Sequence, residues 1–254
     1  MKITFLGTGS SQGVPIIGSK HPVCLSKNPK DKRLRSSVLI EKNQKKLLID
    51  CGPDFRYQML RSNHCRLDAI FITHEHHDHI GGLDDIRSVY FQMKKPIPVY
   101  GLRRSLKEIK KRFFYFFSEN HKLNTSKISI HELDNCKDFF FMEHFQVFPL
   151  FIWHGDLPIL GFRIENFAYI TDASSISVQT IQQLKGLDIL VLNVLRKLPK
   201  NHFTIFESLN VIQEIFPKKT YLTHISHVLG FHEDLEKELP KNVYLAYDGL
   251  IIYV

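Results

Sequence analysis

Residues 67–82 read Leu67-Asp68-Ala69-Ile70-Phe71-Ile72-Thr73-His74-Glu75-His76-His77-Asp78-His79-Ile80-Gly81-Gly82. The run through Ile72 has the pattern of a buried β-strand, and Ile80–Met93 has helical periodicity with Asp78 near its start. Between them lie four histidines and two carboxylates in six consecutive positions. In extended chain alternate residues point the same way, so His74 and His76 can face one point while His77 faces elsewhere. Where the backbone turns into the helix, Asp78 and His79 can reach a second point nearby. Three ligands do not close a structural metal site, so the pattern calls for two open sites side by side, completed from elsewhere in the chain. The helical zinc motif His-Glu-x-x-His is excluded, because Asp78 stands where its second histidine belongs. A site built on the His77-Asp78 pair in an all-helical fold conflicts with the strand directly before it.

Outward from this turn, short apolar, β-branched runs predict strands at Lys2–Gly7, Ser37–Glu41, Lys46–Asp50, Asp68–Thr73, Ile97–Tyr100, Lys127–Leu133, Phe145–Trp153, Leu160–Ile164, Phe167–Thr171, Leu187–Leu195, Tyr221–His224 and Val243–Val254. Helical patterns fall at Ile80–Met93, Leu102–Phe117, Ser177–Lys185, Thr204–Ile215 and His232–Leu239. Strand-rich stretches near both ends, each followed by helices, predict an α/β chain with two sheets face to face and helices outside. The inner faces bury each other and the helices cover the outer ones. A doubly wound sheet fits the same pattern nearly as well. No Pro- or Ser-rich linker divides the chain, so one domain over residues 1–254 is expected.

Composition narrows the function classes. With 43% hydrophobic residues the chain can bury a sizeable core, and disorder is not expected. Lysine and arginine exceed aspartate and glutamate by 34 to 26, which suits either an anionic partner or a solvated basic surface. Cysteines at 24, 51, 65 and 136 lack the dense pairing of a disulfide scaffold, so a reducing compartment is expected. MKITFLGTGSSQG turns to glycine and serine too early for a signal peptide, and no run of about 18 apolar residues exists for a membrane span. A cytoplasmic location without membrane contact is the expectation. The apolar FFYFF within Leu102–Phe117 suits core packing or a homodimer contact better than a lid.

Three further segments can complete the metal sites. His154 in FIWHGD, Asp172 in AYITDAS and His224 in YLTHISH each end a strand pattern, where side chains emerge at a sheet edge. The carboxylate of Asp172 has two oxygens with which to bridge two cations.

In this order the residues resemble the metallo-β-lactamase superfamily over essentially the whole chain. The resemblance implies a four-layer αββα sandwich, with His74, His76 and His154 on one metal and Asp78, His79 and His224 on the other. Asp172 would bridge them, and Asp50 in LLIDCGPD would orient a histidine from behind. FLGTGSSQGVP, LTHISH and YDG are most similar to the phosphoribosyl cyclic phosphodiesterase branch. That branch carries a separate structural zinc on a cysteine-rich loop, which here reads Ser19-Lys20-His21-Pro22-Val23-Cys24. His21, Cys24 and the later His227 are usable zinc ligands, whereas Ser19 departs from the pattern.

The branch also has an Asn-His pair, matched by Lys200-Asn201-His202, which makes His202 the expected proton donor to the leaving oxygen. Asp78 and His202 are the expected catalytic residues. The implied reaction is hydrolysis of a small cyclic phosphodiester, of ribose 1,2-cyclic or 2′,3′-cyclic nucleotide type, with two divalent cations activating a water. Imidazole and carboxylate ligation allows zinc or manganese.

Ribonuclease Z shares the motif, but it usually inserts a long basic arm between the third histidine and the bridging aspartate. Asp172 follows His154 by only 18 positions here. Thioester or lactone hydrolysis at such a centre also fits the ligand set, as does a non-catalytic metal-stabilised scaffold. Redox di-iron members tend to carry glutamate at the position of His76.

Overall fold

Val38, Leu39 and Ile40, like Leu47, Leu48 and Ile49, are fully buried at every position. A strand can be apolar on both faces only where both faces are covered. The computed structural model, which describes residues 1–117, 128–134, 138–198 and 201–254, shows what covers them. One seven-stranded sheet contains β1 (Lys2–Gly7), β2 (Ser37–Lys42), β3 (Lys45–Ile49), β4 (Ala69–Phe71), β5 (Ile97–Gly101), β6 (Ile128–Glu132) and β14 (Ile251–Tyr253), in the order β14-β1-β2-β3-β4-β5-β6. The other contains β7 (Phe140–Met142), β8 (Phe145–His154), β9 (Leu157–Ile164), β10 (Phe167–Ile170), β11 (Ile189–Asn193), β12 (Lys219–Thr223) and β13 (Val243–Leu245), in the order β13-β12-β11-β10-β9-β8-β7.

Alternate residues of each strand serve different layers. Val38, Ile40, Leu47, Ile49 and Phe71 of the first sheet meet Phe145, Phe162, Phe167, Tyr169 and Val191 of the second. Fully burying each such side chain contributes roughly 1.5–3 kcal/mol. Leu39, Leu48 and Ile70 face outward onto α2 (Phe55–Ser62), α4 (Ile86–Met93) and α5 (Arg103–Arg112). Ile152, Ala168, Leu190 and Leu222 face the opposite way, onto α6 (Val178–Gln183), α7 (Ile205–Ile215) and α8 (His232–Glu238). The result is the expected αββα sandwich rather than a doubly wound sheet. No helix among the described residues is long and apolar enough to cross a membrane.

β3, β4, β5 and β6 run parallel, as do β10, β11, β12 and β13. Two successive antiparallel pairings give β8 the direction of β10. The carboxyl ends of β3, β4, β8, β10 and β12 therefore bring Asp50, His74, His154, Asp172 and His224 to one edge, where ligands collect in sheets of this kind.

Several boundaries differ from expectation. Val243–Val254 is two strands in different sheets, because residues 246–250 cross the edge of the sandwich, with Gly249 at φ +92° and its N–H bonded to Phe5 O. The helix expected over Ile80–Met93 is broken into α3 (His77–Ile80), a single 3-10 turn at Leu83–Asp85, and α4. β9 begins at Leu157, so it forms a two-residue hairpin with β8 in which His154 pairs with Leu157. Pro158, inside this strand, interrupts the sequence pattern there. α1 (Pro22–Leu25), α2 and β7 were not foreseen; α2 buries only Phe55, Gln58 and Met59 from a polar segment. Lys127, Cys136 and Lys200 lie outside the described residues.

Candidate metal centre and active-site cavity

The histidine turn is held by the segment after β3. Cys51 N–H donates to His79 O at 2.7 Å, and Gly82 N–H donates to Cys51 O at 2.9 Å. Such close backbone approach leaves no room for side chains. A Cβ on Gly52 would lie 2.0 Å from Asp78 O, and one on Gly82 would lie 2.0 Å from Gly52 O. This contact is why the helical pattern breaks at the glycine pair.

In the first ligand group, His74 is buried and His76, at the N-cap of α3, is exposed. His74 Nε2 and His76 Nδ1 face each other at 2.9 Å. His154 joins from the end of β8, and the ligand atoms of the three lie within 4.8 Å of one another. The other ring nitrogens of His74 and His154 are occupied. His74 Nδ1 is 3.0 Å from Thr73 Oγ1, and His154 Nδ1 is 2.8 Å from the carbonyl of Asn201. A carbonyl only accepts, so His154 is protonated at Nδ1 and keeps the Nε2 lone pair. Burial lowers the pKa of both His74 and His154, favouring the neutral imidazoles that bind metals.

The second group is Asp78, His79, Asp172 and His224, all buried, with ligand atoms within 4.8 Å of one another. His79 Nε2 lies 3.1 Å from Asp78 and 3.3 Å from Asp172, and His224 Nε2 lies 3.1 Å from Asp172. Behind them Asp50 lies 2.7 Å from His79 Nδ1 and accepts from Thr73 N–H and Oγ1. Burial opposes charge on His79, but the carboxylates of Asp78, Asp50 and Asp172 outweigh it and raise its pKa well above the usual value. Burial likewise opposes the Asp172 carboxylate, yet His224, His79 and His202 hold its pKa well down.

Asp50, Asp172 and His224 have φ of +63°, +58° and +56°. For non-glycine residues this left-handed backbone costs roughly 1–2 kcal/mol each. At the ends of parallel strands it turns the side chains out of the sheet toward one another. Asn193 clamps the Asp172 turn, accepting from Ala173 N–H and donating to Ala173 O.

Among these residues His224 Nδ1 is shielded from solvent without a hydrogen-bond partner, while His79 Nε2 and His224 Nε2 face the carboxylates of Asp78 and Asp172. Leaving such an atom unpaired costs about 1–3 kcal/mol. Nitrogens around one tetrahedral zinc stand about 3.3 Å apart, so both groups are compact enough for a cation. Imidazole and carboxylate donors in this arrangement fit a pair of divalent cations.

His202 stands over this cluster, with Nε2 3.0 Å from Asp172 Oδ1 and its ring 4.4 Å from that of His154 and 5.2 Å from that of His224. Its loop is pinned by Phe203 N–H bonded to Ala173 O and by Thr204, which opens α7 with a capping box to Glu207. A cavity of about 510 Å³ opens beside it, with Ser10, Gln12 and Arg196 among its walls.

The other expected metal position is less converged. His21 and His227 meet edge to face at 4.9 Å, but His21 Nδ1 accepts from Val23 N–H, and Cys24 packs in a small apolar cluster with Val14 and Val23. Among the described residues these three are not a group whose ligand atoms converge within 4.8 Å.

Sequence reading missed Thr73, Asn193 and the anchors of Glu75. Thr73 stood beside the motif, and its hydroxyl was the available sign. Glu75 accepts from Ser105 Oγ at 2.8 Å and pairs with Arg104 Nε at 2.7 Å, while Arg104 also donates to Pro158 O. The segment containing α5 buries Leu106, Ile109, Phe113 and Phe116, so it is largely core, and the start of α5 also ties the histidine turn to the β8–β9 hairpin.

Comparison with known proteins agrees with this geometry. The family described as "Beta-lactamase superfamily domain" matches residues 45–225. A solved structure described as a new diphosphatase from the PhnP family is 38% identical with a TM-score of 0.92, covering 99% of this chain and 96% of that one. A protein of Porphyromonas gingivalis named octanoyltransferase is 38% identical over 253 residues, 98% of this chain and 51% of that protein. A ribonuclease Z of Methanococcus maripaludis is 28% identical over 168 residues, 64% of this chain and 48% of that protein. The chain thus spans about half the length of these two relatives, and the transferase name describes a protein about twice as long. From its fold, its ligand-bearing strand ends and these matches, the chain belongs to the beta-lactamase superfamily, in its PhnP-like branch.

Proposed function

We propose that this chain is a metal-dependent phosphodiesterase acting on a small anionic substrate such as a ribose cyclic phosphate or a 2′,3′-cyclic nucleotide. His74, His76 and His154 would hold one divalent cation, zinc or manganese, and Asp78, His79 and His224 a second, with Asp172 between. The cations would supply charge neutralisation and Lewis acidity toward a phosphoryl group.

The observation that carries the reading is His202, held 3.0 Å from Asp172 at the wall of the cavity. An imidazole there can keep a proton at Nε2 against the carboxylate and deliver it to the departing oxygen of an ester. Asp172 positions that proton, and the turn from Asn193 to Ala173 fixes Asp172.

Ribonuclease Z relatives support a phosphodiester as the bond class. The direct path from β8 through β9 to β10 leaves no inserted arm to grip RNA, and a cavity of about 510 Å³ suits a small molecule.

The test is hydrolysis of bis(p-nitrophenyl) phosphate, a 2′,3′-cyclic nucleotide and a thioester by chelated protein restored with manganese or zinc, with Asp172→Ala as control. Metal-dependent cleavage of the phosphodiesters, lost in the variant, is expected. Cleavage of the thioester alone would overturn the reading.

A further inference from the structure

A second cavity, of about 630 Å³, opens between the segments that lead into β11, β12 and β13. The metal ligands sit at the carboxyl ends of the parallel strands, and this cavity lies at their amino ends, so the two sites occupy opposite edges of the sandwich. Leu209, Ile212, Phe216, Pro240 and Val243 make its wall mainly apolar. Backbone bonds fix the loops that form it. Lys218 N–H donates to Leu187 O at 3.1 Å, and Thr220 N–H donates to Asn242 O at 2.8 Å. A preformed apolar cavity of this size with a few polar groups is the usual form of a small-molecule site.

The wall holds two groups that the fold leaves unsatisfied. Phe216 caps the end of α7 at φ +57° and is 85% exposed. Left-handed backbone is unfavourable for a residue other than glycine, and a ring facing water forgoes the gain of burial. Thr220 is 1% exposed, and its hydroxyl is shielded from solvent without a hydrogen-bond partner.

Charge narrows the ligand. The described walls carry Lys218 and Lys241 and no carboxylate. Lys218 is held by Asp188 at 2.6 Å, whereas Lys241 has no ion pair among the described residues. One uncompensated positive charge beside an apolar cavity matches one negative charge on an apolar body.

We propose that this cavity binds a small amphipathic carboxylate, with an alkyl chain of medium length along Leu209, Ile212 and Phe216 and its head group at Lys241. The site is separate from the metal centre and does not depend on the phosphodiesterase reading.

The experiment is calorimetric titration of metal-loaded protein with hexanoate, octanoate and decanoate. Burial of each added methylene predicts tightening of about fourfold, so decanoate should bind about 15-fold more tightly than octanoate. Phe216 and Lys241 are exposed, so their variants should fold normally. Phe216→Ser should weaken decanoate about tenfold and Lys241→Gln about threefold. Decanol should be indifferent to Lys241→Gln, and decyltrimethylammonium should bind the wild type less tightly than decanoate. Carboxylates also bind cations, so Asp172→Ala serves as the control for the metal centre and should take decanoate as the wild type does. Failure of decanoate to bind, equal affinity for the three chain lengths or for decyltrimethylammonium, wild-type affinity in both Phe216→Ser and Lys241→Gln, or loss of binding in Asp172→Ala would each overturn the proposal.

Discussion

Replacing Asp50 by asparagine separates the orientation of a metal ligand from its presence. The carboxylate is fully buried, with Oδ1 2.9 Å from Thr73 N and Oδ2 2.7 Å from His79 Nδ1. A carboxylate without its proton only accepts, so His79 carries a hydrogen on Nδ1, which leaves Nε2, facing Asp78 and Asp172, as the nitrogen that would bind a cation. Asparagine has the same shape but one acceptor oxygen, which the Thr73 N–H requires. Its NH2 group must then face His79, which can accept at Nδ1 only by moving its proton to Nε2. That proton points where a cation would sit. Losing an outer partner of a metal-bound histidine typically costs 10–100-fold in affinity, or about 1.4–2.7 kcal/mol. Folding should suffer less, because the charge-assisted bond lost, about 1.5–3 kcal/mol, is offset by no longer burying a carboxylate, whose burial already raises its pKa. The assay is competition for zinc with a chromogenic chelator, beside urea unfolding of both proteins. A correctly folded Asp50→Asn with wild-type zinc affinity would refute this account of His79.

Gly52→Ala should destabilise the protein by roughly 3 kcal/mol or more, since its Cβ would strike Asp78 O at 2.0 Å. Gly186→Ala, at φ +76° with open space around it, should cost only about 1–2 kcal/mol, and equal unfolding midpoints for the two variants would contradict the packing argument. Arg104→Met removes the tie from Glu75 to Pro158 and should weaken cation binding at His74, His76 and His154 by about tenfold, measured by metal titration; unchanged affinity would make the tie incidental. Burial first, and then the Arg33 charge, lower the pKa of His232 from 6.5 to about 4. The stabilisation is therefore present above pH 6.5 and is lost as the pH falls toward 4, by roughly 2–3 kcal/mol. Urea midpoints at pH 7 and pH 4.5 should differ less in His232→Gln than in wild type, and identical differences would count against the assignment.

How far the molecule was legible varies from segment to segment. The histidine turn could be read because all its geometry is local. A strand alternates faces and a helical turn does not, so the spacing of His74, His76, Asp78 and His79 already separates two groups. Strand runs such as Val38–Ile40 could also be read, since two covered faces leave no polar alternation. The broken helix after Ile80 could not, because its cause is the carbonyl of Gly52, which the two chain segments bring within 2.0 Å of a Cβ at Gly82. Nor could the split of Val243–Val254, where β13 and β14 find partners in β12 and β1, in different sheets.

The sequence by itself determined which residues can ligate and the order in which strand ends deliver them, since residue type and period set chemistry and direction within a segment. Only the tertiary structure decided which histidine Asp50 backs and who else supports the ligands: Thr73 beside Asp50 behind His79, Asn193 behind Asp172, and Arg104 across to the hairpin. Cys24, too, went to an apolar cluster rather than to a convergence with His21 and His227. Such contacts join segments tens of residues apart, and their partners are chosen by how the two sheets and their helices pack, which no local pattern carries.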